Sequence, residues 1–276
     1  MYCLGYDDIY PIFETITLKV FNAQNILHRK ELISGVFDRV LVTSYFNGIS
    51  KFNEYGYYTM GGRSKKGKLT DTVWLQLREK ISDCELKALG LHITQDDQFN
   101  FKNDDISFTF GRNAIPEEPG MNGLQVLVSE ESYRRNRSFL FCDFFVELCE
   151  LAEACYGFAN IHVDSSDSQA MNECYKNTID LLPVDCINSS RYISDSDRLI
   201  KDVCWLNFIN NRHLEQLPLD TKVFLSEMPF YRKNDRGVYF AVADAPHMRE
   251  ESYERIRKLR EIFQPIICEE NWYKFV

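Results

Sequence analysis

The chain has 276 residues, 45% apolar and 26% charged, the balance of a globular protein with a large core, which excludes a disordered class. Its net charge of −9 excludes non-specific binding to nucleic acid, which needs basic surface to displace counterions from phosphates, and favours basic partners. No apolar run approaches the roughly 18 residues of a membrane span, and Met1–Tyr10 lacks the basic-then-apolar pattern of a signal peptide, so a cytoplasmic protein is expected.

Taken in order, Glu14–Asn22 alternates Ile16, Leu18 and Val20 with Thr15, Thr17 and Lys19, the pattern of a half-buried strand. Residues 23–52 read as a helix followed by a strand. Tyr55–Met60 is a short strand that enters a basic, Gly-rich loop, Gly61–Lys68. Thr70 is placed to cap a helix over Asp71–Ser82, with Val73, Trp74, Leu77 and Ile81 on one face. Leu86–Ile93, Ile106–Phe110 and Gly123–Ser129 read as further strands. Between the last two, Arg112–Met121 carries Pro116, Pro119 and Gly120. Such punctuation marks a join between two α+β halves, 1–112 and 118–276, either packed closely or forming one domain.

The predicted centre of the fold is a buried helix over Ser138–Tyr156. It contains no Pro or Gly, and Phe, Leu, Cys, Ala and Glu dominate it. Asp143, Glu147, Glu150 and Glu153 recur at spacings of three and four, which puts them on one stripe of an otherwise apolar cylinder. Gly157 supplies a residue suited to the left-handed conformation that ends helices, and Phe158–Val163 follows as a strand.

Beyond it, Ser165–Asn177 reads as a polar helix, Asp202–Ile209 as a strand and Arg212–Gln216 as a helical turn. Val223–Leu225 and Gly237–Ala243 read as strands, and Glu250–Phe263 as an amphipathic helix. Helices and strands do not alternate strictly. The expected class is therefore α+β, with mixed or antiparallel sheets around a central buried helix.

Chemical signatures are sparse. Gly62–Leu69 resembles a phosphate-binding loop, G-x-x-x-x-G-K-[ST], but Leu69 stands where a hydroxyl must hold magnesium. The five His lack ligand spacing, Cys142 and Cys149 share a helical face without a third ligand nearby, and no calcium loop is present. The nine Cys show no C-x-x-C pair and read as reduced thiols. No metal, cofactor or catalytic residue is expected. The competing readings are a hydrolase or sugar transferase using Asp164, Asp167, Asp195 and Asp197, and a non-enzymatic scaffold.

One arrangement resists the local rules. Arg134, Arg135 and Arg137 precede the central helix and Glu150 and Glu153 end it, so both sets oppose the helix dipole, at about 0.3–1 kcal/mol each. Solvent and salt screen such charges. The functional alternative is that both sets are displayed for a partner, since locally unfavourable choices gather at functional sites.

Leu151–Asn160 (LAEACYGFAN), Cys204–Phe208 (CWLNF) and Gly237–Pro246 (GVYFAVADAP) resemble motifs of bacterial immunity proteins associated with type VI secretion and polymorphic toxins, nearest to the family catalogued as immunity protein fifty-two. The likeness covers residues 120–265. It implies a non-enzymatic cytoplasmic protein that binds and neutralises a cognate toxin effector, with no nucleic-acid or membrane partner. On that reading, the acidic chain steers a basic toxin. The candidate partner-binding residues are Asp143, Glu147, Glu150 and Glu153 with Arg134, Arg135 and Arg137.

Overall fold

The structure is a computed structural model that describes residues 13–22, 35, 53–83, 85–94, 104–112, 122–129, 141–164, 197–245 and 250–267. The chain divides into two compact units, one formed by Leu18–Ala154 and the other by Met1–Thr17 with Cys155–Val276. Strand β1 (Phe13–Asn22) contributes residues to both. The fold is α+β, as expected.

In the Leu18–Ala154 unit the strands are β2 (Glu54–Thr59), β3 (Ser64–Lys68), β4 (Leu86–Thr94), β5 (Asp104–Arg112) and β6 (Asn122–Ser129), in the spatial order β3-β2-β4-β5-β6. Each neighbouring pair is antiparallel. Leu89 and Leu91 of β4 and Leu124, Val126 and Val128 of β6 are all buried. They occupy alternate positions, as expected for strands with one face on a core. The Pro-rich segment 113–121 connects β5 to β6, which pair with Arg112 opposite Asn122. Both strands belong to the Leu18–Ala154 unit. Composition marks where a chain turns, and an antiparallel pair needs a turn as much as a domain junction does.

Helix α1 (Asp71–Ser82) forms as its sequence predicts. The Thr70 Oγ1 accepts a hydrogen bond from the Val73 N–H at 3.3 Å, and Leu77 and Ile81 are buried. Helix α2 (Phe141–Leu151) buries Phe141, Phe144, Phe145, Val146, Leu148 and Cys149. It is shorter than the predicted 138–156 helix, and Gly157 does not end it. Glu153 does so, at φ 49°. The Glu153 N–H donates to the Glu150 carbonyl at 3.1 Å and the Ala154 N–H to the Cys149 carbonyl at 2.8 Å. These paired bonds form a Schellman closure, with Glu in the place usually held by Gly.

Gly157 lies instead inside β7 (Tyr156–Asp164), opposite Phe208 of β8 (Leu206–Asn210). In this second unit the order runs β7-β8-β10-β9, with β9 spanning Phe230–Lys233 and β10 Gly237–Ala241, again antiparallel. All of β8 and β10 is buried, as in strands covered on both faces. Phe208 stacks on its cross-strand partner Tyr239 at 4.5 Å. Phe240 meets Phe263 of helix α5 (Glu250–Phe263) edge to face at 5.9 Å.

Two short helices, α3 (Asn211–Glu215) and α4 (Thr221–Ser226), follow β8. The predicted strand at Val223–Leu225 is therefore helical. Three apolar residues are too short a run for periodicity to separate the two states. Strands β3 and β9 carry no clear sequence signal, because neither Ser64–Lys68 nor Phe230–Lys233 shows the alternation of a half-buried strand. The predicted elements at 23–52 and 165–177 lie outside the described residues, apart from the single helical position Gly35.

Candidate functional site

Helix α2 carries three of the four predicted acidic residues, and its Schellman turn carries the fourth. Asp143 and Glu147 are half-buried, whereas Glu150 and Glu153 are exposed. The stripe is thus graded along the helix, with its exposed members at the C-terminal end. The reason is geometric. A helix that buries six residues of eleven leaves a narrow polar seam beside its apolar face. At Glu147 the Oε2 atom is shielded from solvent. Arg134, Arg135 and Arg137 lie outside the described residues, so the structure brings together only the acidic members of the predicted set.

The phosphate-loop candidate is a β-hairpin. Thr59 and Arg63 close its turn, with the Thr59 N–H donating to the Arg63 carbonyl at 2.8 Å and the Arg63 N–H to the Thr59 Oγ1 at 3.1 Å. Gly62 sits at φ 80°, a conformation that Gly adopts without a Cβ penalty. Ser64–Lys68 is strand β3, so Lys68 ends a strand instead of opening a helix. A phosphate cradle needs the glycine-rich loop itself to wrap the anion and open directly into a helix N-terminus, whereas here Ser64–Lys68 is strand paired with β2 and helix α1 opens only at Asp71, after the Thr70 cap. The hairpin surface is basic and partly apolar instead. Arg63, Lys65, Lys66 and Lys68 are exposed, beside Tyr58 at 58% and Met60 at 52% exposure.

Among the alternative carboxylates, Asp167 and Asp195 lie outside the described residues, and only the backbone of Asp164 is described. Asp197 anchors a cap. Its side chain pairs with Arg212, and its carboxylate and carbonyl accept from the Asn210 amide at 3.0 and 3.1 Å. Asn210 in turn caps α3. Its Oδ1 accepts from the His213 N–H at 2.9 Å, and its own N–H donates to His213 Nδ1 at 3.1 Å. With Nδ1 accepting, Nε2 carries the proton and faces the Leu199 carbonyl at 3.3 Å. This reciprocal cap gives buried His213 a structural role.

Sequence reading missed the main polar cluster of this unit. Asp202 and Arg260 of α5 form a two-point ion pair, and the Asp202 carboxylate also accepts from the Val203 N–H at 2.6 Å. The Tyr156 hydroxyl donates to the Asp202 carbonyl at 3.3 Å. Asn207, buried in β8, closes both its amide groups on the backbone of Cys204, at 2.8 and 2.7 Å. Trp205 Nε1 donates to the Ala243 carbonyl at 3.0 Å. These bonds satisfy polar groups within a buried core. Among the described residues, no group of three or more His, Cys, Asp or Glu is arranged to hold a metal ion, and no helix is long and apolar enough to cross a membrane.

No protein-family model matches the chain. No curated protein matches it either. Among solved structures, its fold is similar to that of a Pseudomonas aeruginosa T6SS protein, PA0821, with a TM-score of 0.60. The likeness covers 94% of this chain and 77% of that one at 16% identity. At this identity the similarity is one of fold.

Proposed function

We propose that this protein is a cytoplasmic immunity protein of a type VI secretion or polymorphic-toxin system, which binds a cognate toxin effector and neutralises it without catalysis. The observation that carries the reading is the fold likeness to a T6SS protein over 94% of the chain, which agrees with the sequence motifs described above. Electrostatics supports the same reading. A chain of net charge −9 steers a basic partner and raises its association rate. Glu150 and Glu153, exposed at the end of α2, are the members of the acidic stripe that this reading assigns to the contact.

The test is genetic and biochemical. The toxin encoded beside this gene is produced in a sensitive host with and without this protein, and complex formation is followed by co-purification. Growth rescue together with a stable complex is the expected result. Rescue without any complex points to an enzymatic or indirect mode of protection, and absence of both removes the immunity reading.

A further inference from the structure

We propose that this protein self-associates head to tail, the tip of the β2–β3 hairpin of one copy docking on the α3–α4 segment, Glu215–Glu227, of a second copy. Both surfaces are exposed, both carry apolar side chains, and their charges are opposite. On the hairpin, Tyr58 and Met60 are 58% and 52% exposed, and every residue from Met60 to Lys66 is exposed. Arg63 and Lys65 supply positive charge at the tip, and no carboxylate occurs between Tyr58 and Lys68. Glu85, whose carbonyl accepts from the Met60 N–H, has its own carboxylate paired with Lys80 at 2.6 Å.

On the α3–α4 segment, Leu219 is 95% and Val223 64% exposed. The Thr221 N–H donates to the Pro218 carbonyl and the Val223 N–H to the Asp220 carbonyl, both at 3.0 Å. Helical winding therefore begins ahead of α4, and residues four apart fall on one side of it. Glu215, Asp220 and Glu227 of this segment are exposed, against the single cation Lys222. Charge selects the occupant. At a net charge of −9 two copies repel at long range. Two hairpin tips would set cation on cation, and two α3–α4 segments carboxylate on carboxylate. Tip on segment is the pairing that joins opposite charges around apolar contacts, and such complementarity fixes partner and register. The contact is heterologous, since each copy gives one surface and receives the other. This inference does not rest on the immunity reading.

The test is sedimentation equilibrium of the full chain over about 1–100 μM, a range that brackets a weak contact between folded chains. A mass that rises with concentration is expected. Met60→Ser with Arg63→Glu alters the hairpin tip, and Leu219→Ser with Val223→Ser alters the α3–α4 segment. All four side chains are exposed, so both double variants should fold, which circular dichroism checks. Each alone should associate more weakly by about tenfold or more. Mixed, the two should form a heterodimer that grows no further, because the intact segment of the first meets the intact tip of the second and the remaining surfaces are both altered. A wild-type chain that stays monomeric throughout, or association that neither double variant weakens, would overturn the proposal. So would a mixture that stays monomeric, since a contact between like surfaces is not restored by mixing.

Discussion

Asp202 and Arg260 face each other through two parallel hydrogen bonds, Nε to Oδ1 and Nη2 to Oδ2, both of 2.9 Å. The two side chains are only 12% and 14% exposed. This pair ties the segment before β8 to the last helix. Burial holds the Asp202 carboxyl above its ordinary value of 3.8, against the opposing pull of Arg260 and the Val203 N–H. A raised value in the folded state gives a contribution to stability that is complete below 3.8 and lost as pH rises through the folded value. Arg260→Met removes the main opposing pull and raises that value further. The variant should lose about 3–5 kcal/mol at neutral pH, because a buried carboxylate is left without its cation. The loss should shrink in acid as Asp202 takes up a proton. Urea unfolding of both proteins across this range checks the sign, and a loss independent of pH would show that Arg260 acts by packing alone.

Phe145 is fully buried in α2. Phe145→Ala should destabilise the protein by about 3–5 kcal/mol, as expected for a buried Phe that leaves a cavity. The unfolding midpoint measures it, and an unchanged midpoint would mean that this helix face carries no core.

Gly237 opens β10 with no room for a side chain. A Cβ placed there would lie 2.1 Å from the Ile209 carbonyl oxygen and 2.8 Å from the Asn210 Cα, both backbone atoms. Gly237→Ala must therefore spread β10 from β8, at a cost of about 1–3 kcal/mol or more. Gly67→Ala is the control, since its nearest neighbour is the Tyr55 ring at 3.5 Å, an ordinary contact. Thermal unfolding should rank the two clearly, with Gly237→Ala the less stable.

The hairpin at Gly62–Lys68 should not bind magnesium nucleotide, because Lys68 ends a strand and Leu69 cannot ligate the metal. Calorimetry with ATP and magnesium should show no saturable heat. Micromolar binding abolished by Lys68→Ala would restore the phosphate-loop reading.

Exposed Glu150 tests the partner surface. Glu150→Lys also places a cation near the C-terminal end of α2, where the helix dipole favours it, so stability should change by no more than about 0.5 kcal/mol. Association with a basic toxin should slow, most visibly at low salt where screening is weak. Unaltered kinetics in the folded variant would clear this end of α2 of any part in recognition.

Much of this protein is written in local pattern. Thr70 capping α1, the apolar periodicity of α5 and the runs that became β4, β6 and β10 are all readable, because each depends on neighbours within a few residues. The α+β class follows from their order. Other features depend on partners distant in sequence. Glu153 takes the left-handed position that ends α2, whereas Gly157 is a strand residue because its neighbours Tyr156 and Phe158 pair with Ile209 and Asn207 of β8. Val223–Leu225 is too short to declare its own state. Asp143 and Glu147 are half-buried, a property of tertiary packing that spacing along a helix does not carry. The Asp202–Arg260 pair joins residues 58 positions apart, and Ser64–Lys68 becomes a strand only by pairing with β2. Local propensity and periodicity act over one or two turns of chain, whereas burial, charge pairing and edge position arise only when distant segments meet.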